Sequence, residues 1–383
     1  MKILHITPSY KPAYRYGGPI VSVAKLCEVL ASNSIDVEVL TTKANGQKEL
    51  EVSTHLIVDG VKVTYFKRVT KDHTHFSPAL LWRLLILNGK AKSRLIIHIH
   101  SWWNLVAITS CLIAKIKKIP VVLSPRGMLT TYTLGSRSSL YKKLIHLIIG
   151  RSLIRYCVIH ATTDMEKDDI LKVANPKNVL VIPNLVYFKA QNPEPCIRNV
   201  IHQSTKPFRL LFFSRIEKKK GLELLFTALA DCDFPWELTV AGNGERSYIS
   251  TLKKLAGSLG ISSTITWIGL VNKETKYDVL SDHQLLVLFS HNENFGNVIL
   301  ESLSVGTAVA ISDKVGLSSL VNKHNLGWVS PLNTEMVAQT LRDARASTQE
   351  LQKIRGAAPE IIHEHFNDDR LVNQYIQLYK NIR

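Results

Sequence analysis

Two blocks in the second half of the chain carry residue types suited to holding a diphosphate between two polyols. The first, SRIEKKKGLELL, follows the apolar run FRLLFFS and presents Arg215, then Lys220 immediately before Gly221, where a helical pattern begins. A guanidinium fork and an ammonium point charge near a helix N-terminus both suit phosphate oxygens. The alternative is a solvated lysine-rich loop, and Lys218 and Lys219 are read that way. The second block, NENFGNVILESLSVG, follows QLLVLFS and sets Glu293 before the turn Phe295-Gly296-Asn297. Glu301 comes about one turn into the helix that follows, with Gly306 as its C-terminal cap. Gly296 lets a ligand approach the backbone, and the first N–H groups of a helix are unpaired donors. A carboxylate against a phosphate would repel it. The two acids are therefore expected to face neutral hydroxyls, a ribose diol at Glu301 and a second polyol at Glu293; the alternative is helix capping by acids.

These blocks need rigid elements to aim them, and the chain supplies strands. MKILHIT, VEVLTT, RLIIHIH, PVVLS, CVIHAT and VLVIP alternate with helical patterns in the first half. FRLLFFS, WELTVAG, TITWIG, QLLVLFS and AVAIS do so in the second. Near-continuous apolar strands separated by helices predict a doubly wound parallel sheet, here twice over. At 383 residues two domains are the default. The polar, proline-containing segment 189–207 shows no periodicity and is read as the linker. The expected domains are 1–188, joined by a C-terminal helix 367–383 that returns to it, and 189–366. In such sheets ligands bind at the carboxyl ends of the strands, at the switch point, so two facing domains would hold a ligand in the cleft between them.

With Arg215, Lys220-Gly221, Glu293-x-Phe-Gly and Glu301 in this order, the chain resembles the family-4 (group 1) retaining glycosyltransferases of GT-B fold, which carry a Glu-x7-Glu pattern. The loop Tyr16-Gly17-Gly18-Pro19 after the first strand agrees, and the resemblance covers nearly the whole chain. It implies a nucleotide-sugar donor held mainly by the C-terminal domain. Arg215 and Lys220 would neutralise the diphosphate, Glu301 would take the ribose, and Glu293 would contact donor-sugar hydroxyls. N–H groups around Phe295, Gly296 and Asn297 and the Gly17-Gly18 loop would approach phosphates and sugar. Glu293, Arg215 and Lys220 are the expected catalytic residues. A front-face path, in which the leaving phosphate takes the acceptor's proton, is preferred to Glu293 as nucleophile.

No metal or other cofactor is expected. Fixed cations and helix N–H groups are able to stabilise the charge growing on a diphosphate leaving group. The single Asp-x-Asp, Asp231-Cys232-Asp233, precedes strand WELTVAG and is read as a loop at the wrong end of that strand. In the first half His98 and His100 end the strand LIIHIH, followed by Trp102 and Trp103. Relatives of this kind often carry a cleft histidine where SPRGM places Arg126, so His100 and Arg126 are the acceptor-side candidates, with His98 read as a core residue.

The net charge of +17 is uneven: residues 1–190 hold 27 Lys and Arg against 11 acids, residues 191–383 hold 21 against 20. No acid occurs between Asp72 and Asp164, where 13 Lys or Arg do. Such a half implies an anionic partner. The segment 138–156 mixes Leu140, Leu144, Leu147, Ile148 and Ile154 with Lys142, Lys143, Arg151 and Arg155. It is read as core on one face and membrane-facing cations on the other, beside 76–94. The expected setting is a lipid-linked or lipopolysaccharide, capsule or other glycan acceptor on the cytoplasmic face of an inner membrane, with the protein peripheral and cytoplasmic. Five cysteines without CxxC spacing fit a reducing compartment. No apolar run reaches a membrane span, and the N-terminal apolar stretch is too short for a signal peptide. Nucleic acid is not an expected partner, since no RNA- or DNA-binding pattern interleaves aromatics with the cations. A dinucleotide oxidoreductase fails for want of a GxGxxG after the first strand. The alternative retained is a non-catalytic GT-B partner subunit that binds sugar nucleotide or glycan.

Overall fold

A computed structural model describes residues 1–87, 95–131, 133, 144–189 and 206–382. Most of the expected linker (190–205), the first six residues of the basic stretch (138–143) and 88–94 lie outside the described residues. The chain forms two compact units, Met1–Val186 with Asp368–Arg383, and Tyr187–Asn367.

Unit 1 is built on strands β1 (Lys2–Thr7), β2 (Asp36–Thr42), β5 (His55–Val58), β6 (Val61–Phe66), β7 (Leu95–His100), β8 (Val121–Ser124), β9 (Val158–Ala161) and β10 (Asn178–Val181), with a small hairpin of β3 (Ala44–Asn45) and β4 (Lys48–Glu49) beside them. The sheet order is β10-β9-β8-β7-β1-β2-β6-β5. Neighbours are parallel apart from β5 against β6. Every residue of β7 and β8 is buried, as expected for central parallel strands with both faces covered. The chain leaves β1 toward β2 and returns to place β7 on its other side, so the switch point lies between β1 and β7. The helix Asp368–Lys380 buries Leu371, Val372, Tyr375, Leu378 and Tyr379 and belongs to this unit.

Unit 2 has β11 (Phe208–Phe213), β12 (Trp236–Ala241), β13 (Ile265–Gly269), β14 (Leu285–Leu288), β15 (Ala308–Ser312) and β16 (Gly327–Ser330), all parallel, in the order β13-β12-β11-β14-β15-β16. Its switch point lies between β11 and β14. The two blocks that opened the sequence reading follow those two strands.

In the described part of the basic stretch, Leu153 and Ile154 are core, but Leu144, Leu147 and Ile148 are exposed. The segment His146–Gly150 is a π-helix running into the α-helix Arg151–Tyr156. Its i→i+5 bonding breaks the 3.6-residue stripe that the sequence pattern assumed, so the apolar side is only partly a core face. Among the described residues no helix is long and apolar enough to cross a membrane.

Candidate active site

In unit 2 the carboxyl end of β11 leads through Arg215 into a short 3-10 turn, Lys218–Lys220, and then into the helix Leu222–Ala230. Gly221 joins them with φ +71°, and a Cβ there would run into the carbonyl oxygen of Phe289 just past β14. Only glycine lets these two strand exits approach so closely. The His291 N–H donates to the Lys219 carbonyl at 2.8 Å and ties the same two loops. Past β14 the backbone of Glu293 pairs with the segment after β15, donating to Lys314 and accepting from Gly316 at 3.1 and 2.8 Å. Gly296, at φ +84°, then caps the helix Asn297–Leu303.

The consequence is a charged cluster at the switch point. The buried Lys220 ammonium meets the Glu293 carboxylate in a close ion pair. Arg215 engages Glu217 at 2.5 Å, and Lys219 lies 3.7 Å from the same acid. Burial alone would raise the Glu293 pKa, but Lys220, Lys219 and Arg215 outweigh it and hold the carboxyl below its ordinary value. Burial, then Lys220 and Arg215, lowers the pKa of Lys219. Lys219, read as solvated from the sequence, is thus part of this cluster. On the neighbouring helix Glu301 is buried and pairs with Lys276 at 2.5 Å. Lys276 was not singled out from the sequence, because nothing in the pattern of 270–281 links it to Glu301. Phe295 is buried and packs edge-on against Phe366, so its side chain is core and only its backbone faces the turn.

The Asp-x-Asp residues are engaged elsewhere. Arg342 donates to the carbonyl and carboxylate of Asp231 at 2.5 and 3.0 Å and lies 3.8 Å from Asp233. Both acids precede β12, at the strand end opposite the switch-point cluster.

Unit 1 places Gly17, at φ +74°, as the N-cap of the helix Gly18–Ser32 after β1. At the ends of the central strands lies a buried histidine network. Because a guanidinium only donates and a carbonyl only accepts, its proton directions follow by elimination. Arg126 Nε donates to His100 Nδ1 at 3.3 Å, so His100 Nε2 carries the proton and donates to His5 Nδ1 at 2.9 Å. His5 Nε2 is then a buried donor without a partner among the described residues. In the second chain His160 Nε2 donates to the Ile182 carbonyl, so His160 Nδ1 accepts from Ser124. Ser124 Oγ accepts from His98 Nε2, and His98 Nδ1 accepts from Tyr379 in the C-terminal helix, at 2.6 and 2.8 Å. Burial lowers the pKa of His5 and of His160 to about 3, and lowers His98 and His100 well below the ordinary imidazole value. All four are neutral at pH 7. Ring nitrogens of His5, His98 and His100 lie within 4.8 Å of one another. Both nitrogens of His98 are already hydrogen-bonded, and Arg126 adds a nearby cation. His98 is the core residue expected of it. His100 is buried too, and its Nδ1 accepts from Arg126.

Two parallel, doubly wound units, one with paired acids and cations at its switch point, make the architecture of a GT-B glycosyltransferase. Residues 195–360 match the family described as glycosyl transferases group 1, and residues 17–185 match the glycosyl transferase 4-like domain. The chain belongs to the group 1 glycosyltransferases and is a transferase enzyme. It is 24% identical to an uncharacterized glycosyltransferase of Methanocaldococcus jannaschii, over 99% of this chain and 98% of that one. It is likewise 24% identical to a GDP-mannose:cellobiosyl-diphosphopolyprenol alpha-mannosyltransferase of Xanthomonas campestris, over 82% of this chain and 79% of that one. Sucrose-phosphate synthase from Thermosynechococcus elongatus shares the fold with a TM-score of 0.77 at 17% identity, over 99% and 98% of the two chains.

Proposed function

We propose that this enzyme is a retaining, metal-independent hexosyltransferase. It moves a hexosyl unit from a nucleotide-diphosphate sugar to a lipid-linked, lipopolysaccharide or capsule glycan at the cytoplasmic face of a membrane. The observation that carries this reading is the Lys220–Glu293 pair across the β11/β14 switch point, with Arg215 and Lys219 on the same edge. A diphosphate takes over Lys220 and Arg215, and Glu293, released from Lys220, turns to the hydroxyls of the donor sugar. Glu301, oriented by Lys276, accepts from the ribose diol. Backbone donors at Gly17-Gly18 and at Phe295-Gly296-Asn297 complete the donor contacts. Charge grows on the leaving diphosphate as the glycosidic bond breaks, and preorganised cations stabilise it without a metal. Asp231 and Asp233, already paired with Arg342, are not needed.

The acceptor side rests on unit 1. The helices Pro78–Leu85, Leu105–Ile116 and Arg151–Tyr156 pack side by side. With the π-helical segment His146–Gly150 that precedes the last of them, they leave Trp82, Ile116, Leu147 and Ile148 between 59% and 71% exposed, close in sequence to Arg83, Lys115, Arg151 and Arg155. Apolar residues set among cations, in a stretch free of acids, fit an anionic lipid surface. The mannosyltransferase relative, whose name gives a diphosphopolyprenol acceptor, supports the lipid-linked choice.

The test is ligand-observed NMR with UDP, GDP, ADP, dTDP and CMP, each with EDTA and again with magnesium. One diphosphate binding in EDTA, and lost in Arg215→Ala and Lys220→Ala, is the expected result. Binding only with magnesium overturns metal independence. Silence from all five overturns the donor site.

A further inference from the structure

We infer that unit 1 carries its own phosphoryl-binding site, centred on Arg126. The inference rests on the transferase reading and names an anion that this unit would take. Arg126 follows β8, at the carboxyl end of the sheet, in the left-handed region at φ +53°. Its guanidinium is held on two of its three nitrogens. Nε donates to His100 at 3.3 Å, and Nη1 donates to Ser22 Oγ and to Asn184 Oδ1, each at 2.9 Å. All three partners are neutral. Among the described residues no carboxylate pairs with it, although the side chain is half-buried. The acid in the neighbourhood, Glu166, is itself buried and already committed. Its Oε1 accepts from the Gly127 N–H at 2.7 Å, and its Oε2 accepts from the Thr162 N–H and hydroxyl at 2.7 and 2.8 Å.

Nη2 remains, with two donors that no described residue takes up, on a side chain that is still partly exposed. A guanidinium taken from water without a counter-charge is costly, and folds that keep one supply the anion from a carboxylate or a ligand. Here the protein supplies position only. The His5–His100 pair fixes Nε, and Ser22, in the second turn of the helix that Gly17 caps, fixes Nη1 beside that helix's opening turns. A phosphoryl oxygen matches what is left: it carries the missing charge and accepts from Nη2. Two sources share that chemistry, the diphosphate of the donor and a phosphate carried by the acceptor.

The full chain separates them. At constant ionic strength, affinity for the nucleoside diphosphate found in the screen above is measured for wild type, Arg126→Gln and Lys220→Ala. Inorganic phosphate is then titrated into diphosphate-saturated protein, read as a shift in Tm against chloride. A donor-phosphate site weakens the diphosphate about 10- to 100-fold in Arg126→Gln. An acceptor-phosphate site leaves diphosphate affinity unchanged, while phosphate raises the Tm of wild type and not of Arg126→Gln. Equal diphosphate affinity and equal phosphate response in the two proteins overturn the inference. Should Arg126→Gln not fold, Arg126→Lys, which keeps the charge and loses the fork, takes its place under the same criteria. Loss of diphosphate binding in Lys220→Ala with no effect at Arg126 leaves the transferase reading standing and removes only this site. Failure of wild type to bind any diphosphate removes the donor reading, and the phosphate titration then decides Arg126 alone.

Discussion

Lys220 and Glu293 stand 73 positions apart in the chain and meet in an ion pair at the switch point of unit 2. Each comes from the exit of a different central strand. Glycine at position 221 and the bond from His291 to Lys219 hold those exits together. The pair is therefore positioned by the backbone of both strand exits.

Removing the cation exposes what the pair does. Lys220→Ala is expected to lower stability by about 2 kcal/mol at pH 7, because Glu293 keeps its charge but loses its direct ion-pair partner, with Lys219 and Arg215 as the remaining nearby cations. The folded pKa of Glu293 is depressed, so the pair's contribution is present above the ordinary value of 4.5 and is lost as pH falls through the lower folded value. Urea denaturation of both proteins at pH 7 and at the lowest pH where both remain folded checks this. A deficit that does not shrink in acid would show that the loss comes from packing rather than charge.

Glu301→Gln is expected to weaken the nucleoside diphosphate about tenfold. It also strands Lys276, whose partner it is. A double-mutant cycle with Lys276→Met should return a coupling energy of about 1 kcal/mol in stability. If Kd is unchanged and only Tm moves, the pair braces the helix Asn297–Leu303 and does not touch the ligand.

The histidines set an acid limit. His5, His98, His100 and His160 are buried neutral, with folded pKa values held below 6.5. The unfolded chain binds more protons than the fold as pH falls below 6.5, so stability drops there and continues to drop toward pH 3. Each histidine contributes a slope of about 1.4 kcal/mol per pH unit well below 6.5. Tyr379→Phe, which takes the donor from His98 Nδ1, should cost about 1 kcal/mol. A stability profile flat from pH 7.5 to 5 would mean that these rings are not buried neutral.

The exposed apolar and basic face predicts sedimentation with phosphatidylglycerol vesicles and little with phosphatidylcholine. Trp82→Ser combined with Ile148→Ser should lower partitioning about tenfold, and 0.5 M salt should lower it as well. Equal binding to both vesicle types would remove charge from the account, and no binding to either would remove the face.

By itself the sequence determined the fold class and where chemistry stands on it. Parallel strands buried on both faces must be written as unbroken apolar runs. Turn and charge signals must follow them, as the blocks at Arg215 and Glu293 do after β11 and β14. β5 and β6 left no run in the sequence analysis although the turn between them carried a local signal: they are joined at Asp59-Gly60, both with positive φ, as a tight hairpin requires. β16 is four residues long and only partly buried, too little for a pattern. The tertiary structure alone decided the pairings. Lys276 against Glu301, and the chain from Tyr379 through His98 and Ser124 to His160, join side chains from separate strands and from the far end of the protein. Helical and strand periodicities report which face of an element is buried. They hold no record of which distant residue lies opposite, because that is fixed by strand order and register. A lone arginine balanced by neutral groups is visible only once every neighbour has a position.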